Sequence, residues 1–247
     1  MNRLSERLLH IAAQVTTGEV LADVGCDHGY LPIYLVQKGL MRRAIAMDIN
    51  EGPLLRAKEH IEQEKLGGYI QTRQSDGLEK LTAGEADAVI IAGMGGNLTM
   101  DILTRGEAVV RSLQQLILEP QSDLAAVREF LRKKNFYIEN EDLVLEDGKY
   151  YPILRVLPRK ASDVSAFAAE SGLSTAVLDA YGHRLLAEHH PVLLSFLEKE
   201  QRQCEQILAG LPTDSANAER IEARREELSE KIERNRAAVR YMKESVC

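Results

Sequence analysis

Val20-Leu21-Ala22-Asp23-Val24-Gly25-Cys26-Asp27-His28-Gly29-Tyr30 is the stretch on which the fold of this 247-residue chain turns. Its first half is short, apolar and β-favouring, and reads as a buried strand. Asp23 and Gly25 break the run at the strand's carboxyl end. Pro32 follows soon after Tyr30 and suits the first turn of a helix, where its missing N–H would be unpaired anyway. A strand, a glycine-bearing turn and a helix bring backbone close to a cofactor at the edge of an α/β sheet. Taken alone, the stretch also reads as an ordinary βα turn with two glycines.

Two later stretches narrow the choice. Ala44-Ile45-Ala46-Met47-Asp48 is a second apolar run ending in an acid, followed by Ile49. An acid at the tip of the second strand is where an adenosyl ribose is hydrogen-bonded in such folds. Ala86 to Ala92 is another buried strand, and it ends in Gly93-Met94-Gly95-Gly96-Asn97. Three strand ends carrying glycine or acid converge on one crevice.

The rest of the first half alternates helix and strand. Leu4, Leu8, Ile11, Ala12 and Val15 have the spacing of an amphipathic helix. Helices are expected over Leu31–Lys38, stopped by Gly39, and over Gly52–Glu64. A third strand, Ile70–Gln74, leads into Ser75-Asp76-Gly77. One helix is expected from about Leu98 to Leu113, a strand over Leu116–Leu118, and a helix over Leu124–Lys134. Asp147-Gly148 then joins two strands as a hairpin. The sum is an α/β protein with a Rossmann-like seven-stranded sheet, one antiparallel strand at its end.

Pro158 to Ser165 has the composition of a boundary, dividing residues 1–160 from 161–247. Beyond it, Leu186, Leu193, Leu197, Cys204 and Leu208 form one helical stripe over His183–Leu208. Ile221, Leu228, Ile232, Asn235, Val239 and Met242 form a second, nearly regular heptad seam. Gly210-Leu211-Pro212 turns the chain between them, giving an α-helical antiparallel coiled-coil hairpin. Asn235 is a residue that would fix its register.

Composition bounds the function. The net charge is −7 and neither half is basic, so contact with nucleic acid would depend on local cations. Candidates are Arg128, Arg132, Lys133 and Lys134 on one helix, and Arg220 to Lys243 on another; a basic cluster on a helix is more often a solvated face. No run approaches the roughly 18 apolar residues of a membrane span, and the first seven residues lack the apolar core of a signal peptide. Cys26, Cys204 and Cys247 show no paired spacing, so neither a disulfide framework nor a metal site is expected. A cytoplasmic monomer without membrane or metal partners is the expectation.

With these motifs placed, the chain resembles the class I S-adenosylmethionine-dependent methyltransferases. More narrowly, it resembles the bacterial tRNA (adenine-22 N1)-methyltransferase family. The likeness rests on Leu21 to Pro32, Asp76-Gly77-Leu78, Ile91-Ala92-Gly93-Met94-Gly95-Gly96, Ile117-Leu118-Glu119-Pro120-Gln121 and the helical tail. It implies transfer of a methyl group from S-adenosylmethionine to N1 of a tRNA adenine, with the tail helping to hold the tRNA. By position it puts Asp23, Gly25, Asp27 and His28 at the methionine end of the cofactor. Asp48 with Ile49 would take the ribose, Asp76 with Gly77 would face the adenine, and Ala92 to Gly95 would complete the cofactor site. Gly93 to Asn97 would be the floor where cofactor and base meet, with Asp27 and Asn97 as catalytic candidates. The usual methyltransferase loop has glycine where Asp27 stands.

Adenine N1 already carries a lone pair, so attack on a sulfonium methyl needs alignment and exclusion of water more than a base. The product is cationic, and a carboxylate such as Asp27 would favour the developing charge; Asp27 also reads as a turn residue bonding its own backbone. The chain lacks the Asn/Asp-Pro-Pro-aromatic turn of exocyclic-amine methyltransferases, which favours a ring nitrogen. His28 and Tyr30 would cover the cofactor, stack on the base, or simply enter the helix. Cys26 has no partner base that would make it a nucleophile.

Three other readings fit parts of the sequence. One is a methyltransferase acting on another RNA, a protein or a small molecule. Another, a nicotinamide-dependent oxidoreductase, is disfavoured because Gly25 to Tyr30 lacks the third glycine of G-x-G-x-x-G. The third is an RNA-binding protein with a vestigial pocket.

Overall fold

The computed structural model describes residues 4–158, 160–212 and 218–244. Expectations touching Met1 to Arg3, Arg159 and Cys247 lie outside these residues. Two compact units are present, Met1–Ser162 and Asp163–Cys247.

The first unit is built on seven strands. They are β1 (Gly18–Val24), β2 (Met41–Asp48), β3 (Ile70–Gln74), β4 (Ala88–Met94), β5 (Gln115–Pro120), β6 (Tyr137–Glu146) and β7 (Lys149–Leu157). Their order in the sheet is β3-β2-β1-β4-β5-β7-β6. β3, β2, β1, β4 and β5 run parallel, and β7 is antiparallel to both β5 and β6. The single antiparallel strand therefore sits one place in from the edge rather than at it. The reason is the tight hairpin: Asp147 and Gly148 both take positive φ, 49° and 76°, and Glu146 pairs with Lys149. β7 folds back beside β5, leaving β6 outermost.

Alternation along the strands sends side chains to two cores, one per face. Leu21, Ala44, Ala46, Ile90 and Ile117 pack beneath α1 (Glu6–Ala13), α2 (Tyr30–Gln37) and α3 (Glu51–Gln63), where Ile11, Leu35, Ala57 and Ile61 are buried. Ala22, Val24, Met47, Val89, Ile91 and Leu118 pack on the other face. They meet Ile102 of α4 (Gly96–Arg105), Val110 of α5 (Glu107–Ser112) and Leu131 of α6 (Leu124–Lys133). Burying such a side chain contributes roughly 1.5–3 kcal/mol. Both faces are covered, so the central strands read as continuous apolar runs.

The helix expected over Leu98–Leu113 is two helices that break at Gly106. A Cβ there would lie 2.6 Å from Leu78 Cδ1 and 2.8 Å from Leu78 Cβ, so glycine lets the chain pass the β3–β4 connection. The cluster Arg128, Arg132, Lys133 and Lys134 is no open cationic face. Arg128 is buried against Glu141 at 2.7 Å, tying α6 to β6, and Lys134 reaches Glu107 at 2.6 Å.

The second unit is helical: α7 (Val164–Ser171), α8 (Thr175–Tyr181), α9 (His183–Ala187), α10 (Pro191–Ala209) and α11 (Ala218–Glu244). The helix expected over His183–Leu208 is interrupted. His189 takes φ 48° and Pro191 occupies the first turn of α10 after the His190 cap; proline cannot donate to the preceding turn. α10 and α11 pack antiparallel, with Lys243 near Glu198 at one end and Cys204 against Leu228 toward the other. Asn235 is buried in this seam. Its Nδ2 donates to Leu197 O at 3.0 Å and Glu200 Oε2 at 3.2 Å, and Tyr181 donates to the same Glu200 oxygen at 2.8 Å.

Candidate active site

The sheet order reverses between β1 and β4, which makes the carboxyl ends of these neighbours the place where a ligand can enter. Gly25 and Cys26 both donate their N–H to Met47 O, at 2.8 and 3.0 Å, folding the β1–α2 loop over the end of β2. Gly25 (φ 78°), Asp27 (φ 44°) and Gly29 (φ 72°) are left-handed. Gly29 also packs on α3, where a Cβ would stand 3.1 Å from Ala57 Cβ. On the β4 side, pairing shifts register between Ala92 and Met94, so Gly93 (φ 77°) is bulged out.

These loops frame a cleft of about 420 Å³. Its walls include Asp23, Gly25, Asp27, His28, Ala92 and Gly93 from the sequence-predicted set, joined by Arg7 and Gln121. Met94, Gly95, Asp48, Ile49, Asp76, Gly77 and Asn97 lie on neighbouring strand ends or loops outside these walls. Asp48 ends β2; its Oδ1 accepts the Asn50 N–H at 2.9 Å, and among the described residues its other oxygen has no partner. Ile49 beside it is exposed. The Asp76 carboxylate is paired: Arg105 holds both oxygens, at 3.0 and 3.2 Å. Gly77 (φ 51°) is needed for packing, since a Cβ would lie 2.9 Å from Ile102 Cγ1. Asn97 is exposed on the first turn of α4, where its Nδ2 is 3.3 Å from Asp123 Oδ2.

The electrostatics are acidic. Asp23 is only 4% exposed. Burial, aided by the like charge of Asp48, pushes its carboxyl up to about 7. Burial and these same carboxylates push the Cys26 thiol upward, so it is not a nucleophile near neutral pH. The Asp27 side chain is 63% exposed and ion-paired to Arg56 of α3 at 2.9 Å. His28, Tyr30 and His60 form a mutual stack with centroids 5.2–5.6 Å apart, and His28 Nδ1 is buried without a partner.

Glu119 enters the sequence reading only inside a resemblance motif, without a role, and Arg7 does not enter it as a site residue. Glu119, buried at the end of β5, accepts from Gly93 N at 2.9 Å and from Arg7 Nη1 at 2.8 Å. Burial raises its carboxyl while Arg7 opposes the rise. Nothing in local periodicity marks Arg7; it joins the cleft through a contact spanning 112 residues.

Among the described residues, no helix is long and apolar enough to cross a membrane, and no cluster of three or more metal-ligating side chains occurs. The donor set suits a cationic, ribose-bearing ligand. Among the described residues no cation pairs with Asp23 and one Asp48 oxygen is an open acceptor, and the left-handed Gly25 and Gly93 open the backbone. A pyrophosphate would meet Asp23 and Asp27 as like charges.

Comparison with known proteins agrees. A methyltransferase-domain family model matches residues 4–154. The chain is 36% identical over 231 residues to the tRNA (adenine(22)-N(1))-methyltransferase of Bacillus subtilis, covering 94% of each. It superposes on the solved structure of the B. subtilis m1A22 tRNA methyltransferase with a TM-score of 0.84 and 33% identity, covering 97% of this chain and 100% of that one. A Streptococcus pneumoniae candidate for the same activity, solved with S-adenosyl-L-methionine, gives a TM-score of 0.81 and 32% identity, over 96% of this chain and all of that one. By domain model, whole-length identity and fold, the chain belongs to the bacterial tRNA (adenine(22)-N(1))-methyltransferase family.

Proposed function

We propose that this protein methylates N1 of adenine 22 in tRNA, using S-adenosylmethionine. The observation that carries the reading is the acidic cleft at the β1/β4 crossover, in a chain 36% identical, over 94% of its length, to the tRNA (adenine(22)-N(1))-methyltransferase of Bacillus subtilis. When bound, the cofactor supplies an electrophilic methyl group on a cationic sulfur. Asp23 faces the positive methionine end, and the free oxygen of Asp48 accepts from the ribose hydroxyls. Ile49, with its exposed side chain, covers the ribose and adenine. Asp76 and Gly77 border the adenine through their backbone, since Arg105 occupies the Asp76 carboxylate. Gly25, His28, Ala92, Gly93, Met94 and Gly95 line the approach of the two reactants, and Asn97 stands at the floor's outer edge. N1 lies on the pairing edge, so the base enters unpaired or flipped. Orientation by these walls supplies much of the rate, and no base is needed to take a proton from N1. Labelling unmodified tRNA with methyl-labelled cofactor, then mapping the modified nucleoside, tests the reading. Label in any product other than 1-methyladenosine at position 22 would overturn it.

Asp27 is the candidate for steadying the positive charge that develops on the adenine. Asp27→Asn tolerates the left-handed turn and keeps polarity while losing charge. Single-turnover methylation at saturating cofactor should fall roughly 10²–10³-fold, with cofactor affinity little changed. A near-normal saturated rate would leave Asp27 as a loop-ordering partner of Arg56.

The helical unit holds the tRNA in this reading. Arg220 and Arg240 are exposed and without an ion pair among the described residues, while Arg224 and Arg225 face Glu227 and Glu222. A chain ending at Ser162 is expected to keep wild-type cofactor affinity while its KM for tRNA rises about tenfold or more. Wild-type KM in that truncated chain would remove the tail from substrate binding. We place the protein in the cytoplasm, as a monomer, where its substrate resides; sedimentation at working concentration checks the monomer.

A further inference from the structure

Arg7 stands in the first turn of α1, whose start is capped by Ser5, with Ser5 Oγ accepting from Leu8 N at 3.3 Å. The Arg7 N–H donates to Glu146 Oε1 at 3.2 Å, anchoring this turn at the end of β6. Its side chain crosses to the ends of β4 and β5. Nη1 donates to Glu119, and the guanidinium lies over the Tyr151 ring, 5.4 Å from its centroid. Nη1 would stand 4.0 Å from a Cβ on Gly93, which puts the group on the cleft wall.

Three features make this more than a structural ion pair. Among the described residues Arg7 is the one lysine or arginine on the cleft wall, whereas Asp23 and Asp27 are acids. Among the described residues Nε and Nη2 have no hydrogen-bond partner, and the side chain is 24% exposed, so N–H donors stand ready in a planar fork suited to an oxyanion. Glu119, buried behind it, holds both Arg7 and the Gly93 N–H through one oxygen, Oε2. The fork is thus oriented before any ligand arrives.

We infer that Arg7, oriented by Glu119, is an oxyanion-binding residue of the cleft. This rests on the methyl-transfer reading above and deepens it. The ligands of that reaction offer two such groups: the carboxylate at the methionine end of the cofactor and a phosphate flanking the target adenosine. Either would be repelled by Asp23 and Asp27 unless one fixed cation met it. Arg7 binds ligand directly; Glu119 is a positioning residue.

The test compares the full-length wild type with Arg7→Ala, Arg7→Lys and the double variant Arg7→Met/Glu119→Gln. The double variant leaves no unpaired buried charge, so it keeps the test valid if Arg7→Ala fails to fold, and melting curves report folding for all. Affinities are measured for S-adenosylmethionine and for its decarboxylated analogue, and KM for tRNA is measured against salt. Loss of one charge-assisted contact should cost about 10–100-fold in affinity. If the cofactor carboxylate is the ligand, S-adenosylmethionine weakens by that factor and the decarboxylated analogue does not. If a phosphate is the ligand, both cofactors bind normally, KM for tRNA rises and its salt dependence is shallower by roughly one contact. Arg7→Lys should recover part of either loss. Folded variants that show neither change overturn the inference while leaving the methyl-transfer reading intact. A wild type that binds neither S-adenosylmethionine nor tRNA overturns that reading and this inference together.

Discussion

Affinity for S-adenosylmethionine is expected to fall by up to about tenfold for each pH unit below 7, about a hundredfold by pH 5. The cause is Asp23. Its carboxyl is held up to about 7 by burial first and by Asp48 second, so a growing fraction of the protein is neutral there as pH falls. A cationic ligand interacts best with the ionised form, and binding it then requires loss of a proton. The ligand's own amino group stays protonated over this range, because ordinary α-amino groups titrate near 8. Calorimetry in two buffers of different ionisation enthalpy should count about one proton released near pH 6. Asp23→Asn should flatten the pH dependence at a uniformly lower affinity. The ligand-free protein shows the other side of the linkage. Asp23 has a folded pKa above its unfolded value of 3.8, so between about pH 4 and 7 the unfolded chain has released this proton and the folded one has not. Stability contributed by Asp23 is thus fully present below pH 4 and declines as pH rises to 7, by up to about 4 kcal/mol. Saturating cofactor should offset that decline. A pH-independent affinity with no proton release would remove Asp23 from the binding site.

Gly96→Ala is expected to lower the melting temperature by about 6–12 °C and to weaken cofactor binding with it. A Cβ on Gly96 would stand 2.4 Å from the Ser122 carbonyl oxygen, 2.9 Å from Asp123 Cβ and 3.0 Å from Val127 Cγ2. Two of these contacts belong to the β5–α6 loop, and the first is with backbone, which cannot rotate aside. Overpacking of this kind costs roughly 3 kcal/mol, and each kcal/mol moves a domain of this size by about 2–4 °C. The same displacement would stretch the hydrogen bond from Gly96 N to Ser122 Oγ, now 3.1 Å, and shift the start of α4 against the cleft floor. Gly67→Ala is the matched control, because a Cβ there meets nothing within 4 Å and the residue is exposed. It should change stability by less than about 0.5 kcal/mol. Equal melting temperatures for the two variants would show that the β5–α6 loop can move away at little cost.

The strand-turn-helix units, the glycine or acid at each strand end and the hairpin at Asp147-Gly148 are all legible in local sequence. Each is written in local terms: apolar alternation, left-handed positions that favour glycine, and helix stops such as Gly39. Even the tail seam, with Asn235 buried in it, follows from spacing alone. Local terms misjudged the two helix breaks for opposite reasons. Gly106 stands between α4 and α5 where Leu78 leaves no room for a Cβ, which no neighbour in sequence reveals. Pro191 is a local break signal inside the stripe from Leu186 to Leu208, and the stripe's spacing does not register it.

Which charges meet follows from packing between elements far apart in the chain. Asp76 and Arg105, Asp27 and Arg56, and Glu119 and Arg7 are separated by 29, 29 and 112 residues. A carboxylate's chemistry depends on which cation reaches it and how much water remains, so the same residue type ends as a partner of arginine at Asp76 and as a buried acid near neutrality at Asp23. Those outcomes arise from packing two helical layers onto one sheet. Sequence periodicity specifies which face of each element is buried, but the meeting of polar side chains at the sheet's end is set by distances of a few ångströms between elements far apart in the chain.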